Sequence, residues 1–142
     1  MAISSAIATS FKQELLVGTH NFTATSGNTF KLALYTSSAT LGASTTAYTT
    51  TGQATGTNYT AGGAALTSVT PTTSGTTALC DFADLTWGTA TVTARGALLY
   101  NDTQSDKAVC AIDFGGDKTS TAGNFTVVFP AANATAAIIR LA

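Results

Sequence analysis

The sequence predicts a mostly β protein: an antiparallel β-sandwich of about eight strands, jelly-roll or immunoglobulin-like, with one short N-terminal helix. Three observations carry this. Short apolar runs recur between clusters of Asn, Asp, Gly, Ser and Thr, as strands do between turns. Thr is the commonest residue, and Thr with regularly spaced aromatics suits half-buried pleated surfaces. Charged residues make up only 9% of the chain, against about a quarter in ordinary domains. At 142 residues the chain fits a single domain, 1–142, with an arm and helix over 1–18 and a long Thr/Gly-rich loop over 37–63.

Taken in order, Ser4 or Ser5 is placed to cap a helix over Ala6–Val17, in which Ile7, Phe11 and Leu15 form one apolar stripe. Lys12, Gln13 and Glu14 fall on the other face, and Gly18 ends it. The connector that follows carries the only histidine, His20, which without a metal-ligand partner nearby reads as a surface residue. Thr29–Thr36 alternates Phe30, Leu32 and Leu34 with more polar residues, the pattern of a half-buried strand. Ser37–Gly63 is rich in Ser, Thr and Gly, with a short edge strand expected near Gly52–Thr55. A loop this long has a task or is ordered by a partner. Tyr48 and Tyr59 within it either anchor a neighbouring chain or pack back on the sheet.

Ala64–Thr70 reads as a strand, Pro71–Gly75 as a turn, and Thr76–Phe82 as a further strand. Trp87 is expected to plug the end of the core, with its indole N–H on a backbone carbonyl. Three strands, Ala90–Tyr100, Lys107–Phe114 and Asn124–Phe129, then form a meander broken at Asn101–Asp106 and Gly115–Gly123. Ala136–Leu141 closes the chain. The expected core is Phe30, Leu32, Leu34, Leu98, Ile112, Phe114, Phe125, Val127 and Phe129.

Several function classes are disfavoured. A net charge of −1 and six scattered basic residues give no nucleic-acid footprint. No apolar run approaches membrane-spanning length, and no basic secretion signal opens the chain. Five Asn-X-Thr triplets, at Asn21, Asn58, Asn101, Asn124 and Asn133, are what chance gives in so Thr-rich a sequence. Cys80 and Cys110 match no zinc spacing and read as small buried hydrophobes, or as a pair if their strands meet. The aspartates fall at strand ends and turns, where Asp caps the backbone. Asp81 and Asp113 would form a carboxylate pair only if their strands are neighbours. Arg95 stands alone in an apolar run, where it either pairs with an acid on the next strand or reaches a partner chain. No catalytic, cofactor-binding or metal-binding residue is expected.

The runs MAISSAIATSFKQELL, ARGALLYNDTQSDKAV and IDFGGDKTSTAGNFTVVFP, with the Ala/Ile-rich end, resemble small Thr/Ala-rich virion structural proteins of tailed bacteriophages. The resemblance implies a virion protein assembled in the bacterial host cytoplasm. Its partners would be the major capsid protein or other virion proteins, and it would form homo-oligomers. It implies capsid decoration, in which the chain cements major capsid subunits, or a tail position as tube, adaptor or fibre-base component. A carbohydrate-binding adhesion module is the third possibility, for which Tyr35, Tyr48, Tyr59 and Trp87 are the only aromatic platform. For an assembly protein, the helix stripe Ile7, Phe11 and Leu15 with Tyr48 and Tyr59 is the expected partner interface. Contacts made by apolar burial and hydrogen bonds predict weak dependence of assembly on salt.

Overall fold

Two strands set the architecture in the computed structural model, which describes residues 2–142, so that Met1 of the expected arm lies outside the described residues. They are β7 (Leu85–Asn101) and β8 (Lys107–Val127), antiparallel partners from Leu85↔Val127 to Asn101↔Lys107. Before them come β1 (Ala6–Ile7), α1 (Thr9–Leu16), β2 (Phe30–Tyr35), β3 (Gly56–Thr57), β4 (Ala64–Ala65), β5 (Ser68–Ser74) and β6 (Thr77–Phe82), and after them β9 (Ile139–Leu141). The larger sheet has the order β1-β8-β7-β2-β4, with β3 also on β7. The smaller has the order β5-β6-β9. The fold is therefore mostly β, with nine strands and one helix among the described residues and two antiparallel sheets packed against each other as in a β-sandwich. Among the described residues no helix is long and apolar enough to cross a membrane.

The expected three-strand meander is one long hairpin instead. Asn101–Asp106 is its turn, but Gly115–Gly123 lies inside β8. Bulges absorb the extra residues. Between the pairs Gly96↔Asp113 and Ala94↔Lys118, Arg95 alone faces the run Phe114–Asp117. Gly115 at φ +79 and Ala122 at φ 48 supply the turns of backbone that keep the strand in register.

The helix is shorter than expected. Ala8 is extended (φ −62, ψ 134) and caps α1 without a side-chain hydrogen bond. Ala6 and Ile7 pair instead with Ala111 and Cys110, and the Ser5 hydroxyl accepts the Asp113 N–H at 2.8 Å. The unpaired edge of β8 thus takes the backbone that a longer helix would have used.

Ala64–Thr70 divides between the sheets. The Leu66 N–H donates to the Phe30 carbonyl of the larger sheet, and the Thr67 carbonyl accepts from Ala83 beside the smaller one. Pro71 is within β5, not in a turn. It sits at the bulge between Val69 and Thr72 on an edge strand, where its missing N–H costs no ladder bond. The turn lies later, at Gly75.

The chain itself orders the Ser37–Gly63 loop. The Ala54 N–H donates to the Leu34 carbonyl (2.9 Å), Thr36 N–H to Gly52 (2.9 Å) and the Tyr35 hydroxyl to Thr49 (2.6 Å). The expected edge strand falls just beyond Gly52–Thr55, as β3. The core follows the predicted list except that Ile112 and Phe114 are only partly buried. Phe11, Phe22, Phe30, Phe82 and Phe129 form a chain of aromatic contacts, with Phe22 stacked on Phe30 at 4.2 Å. This ties α1, both sheets and the segment after β8 together.

One glycine tests how the loop docks. Gly63 has φ +78, and a Cβ there would run into the Leu32 carbonyl of β2. Gly75, at φ +60, has open space around it. Gly75→Ala is expected to cost about 1 kcal/mol, the left-handed backbone penalty alone. Gly63→Ala adds displacement of β2 and is expected to exceed about 2 kcal/mol. Urea denaturation of the two variants measures both.

Candidate functional site

The buried polar groups concentrate where α1 meets the β7–β8 turn. His20, expected at the surface, is inside: its side chain is 0% exposed and that of Glu14 is 9% exposed, although Glu14 was also expected to face solvent. The His20 ring packs at 4.8 Å from Phe11, which explains the burial. Asn101 determines which ring nitrogen carries the proton. Its side-chain oxygen accepts the Thr103 and Gln104 N–H groups at 3.1 and 3.2 Å, so its amide nitrogen is the donor to both Asn28 Oδ1 and His20 Nδ1, each at 2.9 Å. His20 Nδ1 is therefore the acceptor and Nε2 bears the hydrogen. Nε2 points toward Glu14 Oε1 at 3.7 Å, beyond hydrogen-bond range, while the Lys107 ammonium lies 3.2 Å from Glu14 Oε2. The group has the composition of an acid–base pair, but its His20 and Glu14 side chains are buried and only Lys107 reaches the surface. It latches the helix to the hairpin turn.

Four of the six remaining acids are occupied structurally. Asp81 lies buried on β6 and accepts the Phe82 N–H, and Asp113 on β8 pairs with Arg95 at 2.9 Å, so the two do not meet. Arg95 holds the Asp113 carboxyl below the usual carboxylate range. Asp102 pairs with Lys31 at 3.2 Å, and Asp84 accepts the Phe129 N–H at 2.8 Å. Among the described residues no three His, Cys, Asp or Glu side chains are grouped to hold a metal. Cys80 and Cys110 are both free and buried, and burial pushes their thiols up to about 12.

Tyr59 is buried, accepts the Leu34 N–H through its hydroxyl at 2.8 Å, and meets Trp87 edge-on. Tyr48 stacks on Tyr100 at 4.9 Å and donates to Gln53 at 2.8 Å. The structure thus packs both tyrosines on their own domain. Tyr35 and Trp87 are buried as well, and Tyr48 is half-buried, so none of the four aromatics is fully exposed. The Trp87 indole N–H finds no carbonyl among the described residues. The ring is held by Tyr59 and Phe125.

Ile7, Phe11 and Leu15 have a different setting: they line a cavity of about 490 Å³ between α1 and β9. A second cavity, of about 520 Å³, runs along β8 and adjoins the first at Ile138. A third, of about 170 Å³, shares Leu15, Ile139 and Leu141 with the first. The three are separate, mostly apolar depressions that adjoin at these shared residues, and together they are termed the cleft. Its walls include consecutive residues, Asn124–Pro130 and Ile138–Ala142. Successive side chains of a strand point to opposite faces, so a cavity that touches consecutive residues meets the strand edge-on. Both edges are open: β9 pairs only with β6, and β1 covers β8 only at Cys110 and Ala111. Val128 and Leu141 at this margin are 72% and 60% exposed.

Sequence reasoning found the helix wall of the cleft and missed the wall after β8. The available signal was Val127-Val128-Phe129, an apolar run that cannot bury all its members by alternation. No protein-family model, no curated protein and no solved structure matches this chain.

The latch is expected to be acid-labile. Burial, the largest cause, lowers the His20 pKa from its ordinary 6.5, with Glu14 opposing. The folded state therefore holds the proton less well than the unfolded chain. Its contribution is present above pH 6.5 and is lost as the pH falls through the lowered folded value. Asp113 begins to lose its contribution only below 3.8, and Asp81, raised by burial, has the opposite sign. Thermal midpoints measured from about pH 8 to about pH 5 should fall on the acid side, and His20→Phe should flatten that slope.

Proposed function

We propose that the chain is a non-catalytic structural subunit of a tailed-bacteriophage virion, a capsid decoration protein that cements major capsid subunits. The observation that carries this reading is the cleft. A monomer seldom leaves so continuous an apolar margin uncovered, with the edges of both sheets open along it. The rest of the surface favours the same use. Exposed Thr side chains bond to one another across the hairpin, Thr86 to Thr126 at 2.9 Å and Thr93 to Thr119 at 2.8 Å, and few charges stand to repel a neighbour. The sequence resemblance supplies the particle.

In this mechanism the two-sheet core is a rigid block, and subunits are joined by apolar burial and backbone or Thr hydrogen bonds. Major capsid protein is the partner, copies of the chain form oligomers on the shell, and the virion is its location. Ile7, Phe11 and Leu15 belong to the contact surface.

Cosedimentation with purified phage heads stripped of accessory proteins tests the proposal. Saturable binding at a fixed ratio to the capsid protein is the expected result, little changed by moderate salt. Binding to isolated tails but not heads would assign a tail position instead. Binding to neither, or release from heads at modest salt, would overturn the mechanism.

A further inference from the structure

We infer that the cleft receives an extended, apolar segment of a partner protein that carries acidic residues at its ends, added as a strand along the free edge of β8. The inference rests on the reading of the cleft as an assembly surface, and not on which particle is assembled.

The shape of the occupant follows from the edge. Beyond Asp113, whose N–H is taken by Ser5, β8 has no strand partner on its outer side, while β7 pairs with it on the inner side as far as Val127. The unpaired backbone groups of that stretch repeat at strand spacing, which an extended peptide matches and a helix does not. Phe114, Phe125 and Ile138 beside the edge give apolar side chains of the incoming strand a surface to cover.

The charge of the occupant follows from an uneven distribution of ion pairs. The chain has six Lys and Arg residues. Three are paired within the domain: Lys31 with Asp102, Arg95 with Asp113, and Lys107 with Glu14. The other three, Lys12, Lys118 and Arg140, form no ion pair among the described residues, and all three line the cleft. Lys118 stands along β8 in one cavity, and Lys12 and Arg140 in the next. No Asp or Glu is among the lining residues. Asp117, next to Lys118 in sequence, acts on Arg95 instead. A segment lying from Lys118 past Ile138 toward Arg140 therefore meets positive charge at both ends and apolar surface between. Exposed charges of this kind select a partner more than they hold it.

The test uses two fluorescein-labelled synthetic peptides of alternating Val and Thr, one ended by Asp and the other by Lys, titrated into the full chain and read by fluorescence anisotropy. The Asp-ended peptide is expected to bind about tenfold tighter or better. Lys118→Glu, at an exposed position, should remove most of that preference, and added salt should narrow it. Val128→Asp, also exposed, should weaken binding of the Asp-ended peptide. Hydrogen exchange should show new amide protection along Lys118–Val127 in the complex. Equal affinity for both peptides, no binding, indifference to Lys118→Glu, or protection elsewhere would overturn the inference. So would concentration-dependent self-association that Val128→Asp abolishes, since the occupant would then be a second copy. No phage head is needed, so failure here and failure of head binding are separate results.

Discussion

The pairing of β7 with β8 is the constraint on which the larger sheet depends. β1 attaches to β8, and β2 and β3 attach to β7, so only β4 lacks a direct bond to the hairpin. A ribbon this long twists, and a strictly regular pair would carry its ends out of the plane in which β2 must pack. The bulges resolve the conflict. The widest lies opposite Arg95, where the Arg95–Asp113 pair spans the widened gap and Asp113 Oδ1 also accepts the Gly115 N–H at 2.9 Å. At Gly96, on the same turn of the ribbon, a Cβ would press on the Ile112 carbonyl and on Ile3, so the absence of a side chain is what lets the N-terminal arm lie across the sheet. Local irregularity in the hairpin thus permits the regular contacts made on either side of it.

The same pairing explains the polar latch. In the hairpin turn the Gln104 N–H already reaches the Asn101 backbone carbonyl at 3.2 Å, whereas the Thr103 N–H has no backbone acceptor among the described residues. Asn101 satisfies both, and its donor side then reaches Asn28 and His20. Each bond is of ordinary strength, but losing Asn101 would strand the buried His20 ring nitrogen, which costs more than the bond is worth. Glu14 is tolerated inside because Lys107, the first residue of β8, stands over it.

Elements governed by local chemistry were legible in the sequence. β2 follows from Phe30, Leu32 and Leu34 in alternation, and Asn101–Asp106 from turn residues with φ above zero at Ser105 and Asp106. Elements governed by distant partners were not. Gly115–Gly123 has the composition of a turn, yet β7 lies alongside and supplies the ladder that composition does not encode. Pro71 is compatible with a strand only because β5 is an edge, which is a property of topology. His20 offered no sequence signal for burial, since its acceptor role depends on Asn101, far away in the chain. For the cleft, the helix stripe showed one wall. The open edges that form the rest are defined by which strands fail to pair, and no local pattern reports that.

The distribution of charge has a further physical consequence. Seven acids and six bases nearly cancel, so the chain gains little solubility from net repulsion. Three acids and three bases are used up in pairs that stabilise bulge, turn and latch, which leaves three cations outside any ion pair among the described residues. Placing all three unpaired cations around one apolar cleft serves two ends. Like charges around an exposed margin discourage edge-to-edge pairing between copies, the usual hazard of an open sheet. The same charges admit a partner of opposite sign. On the proposed assembly role, an apolar margin guarded in this way would stay uncovered until its partner segment arrives.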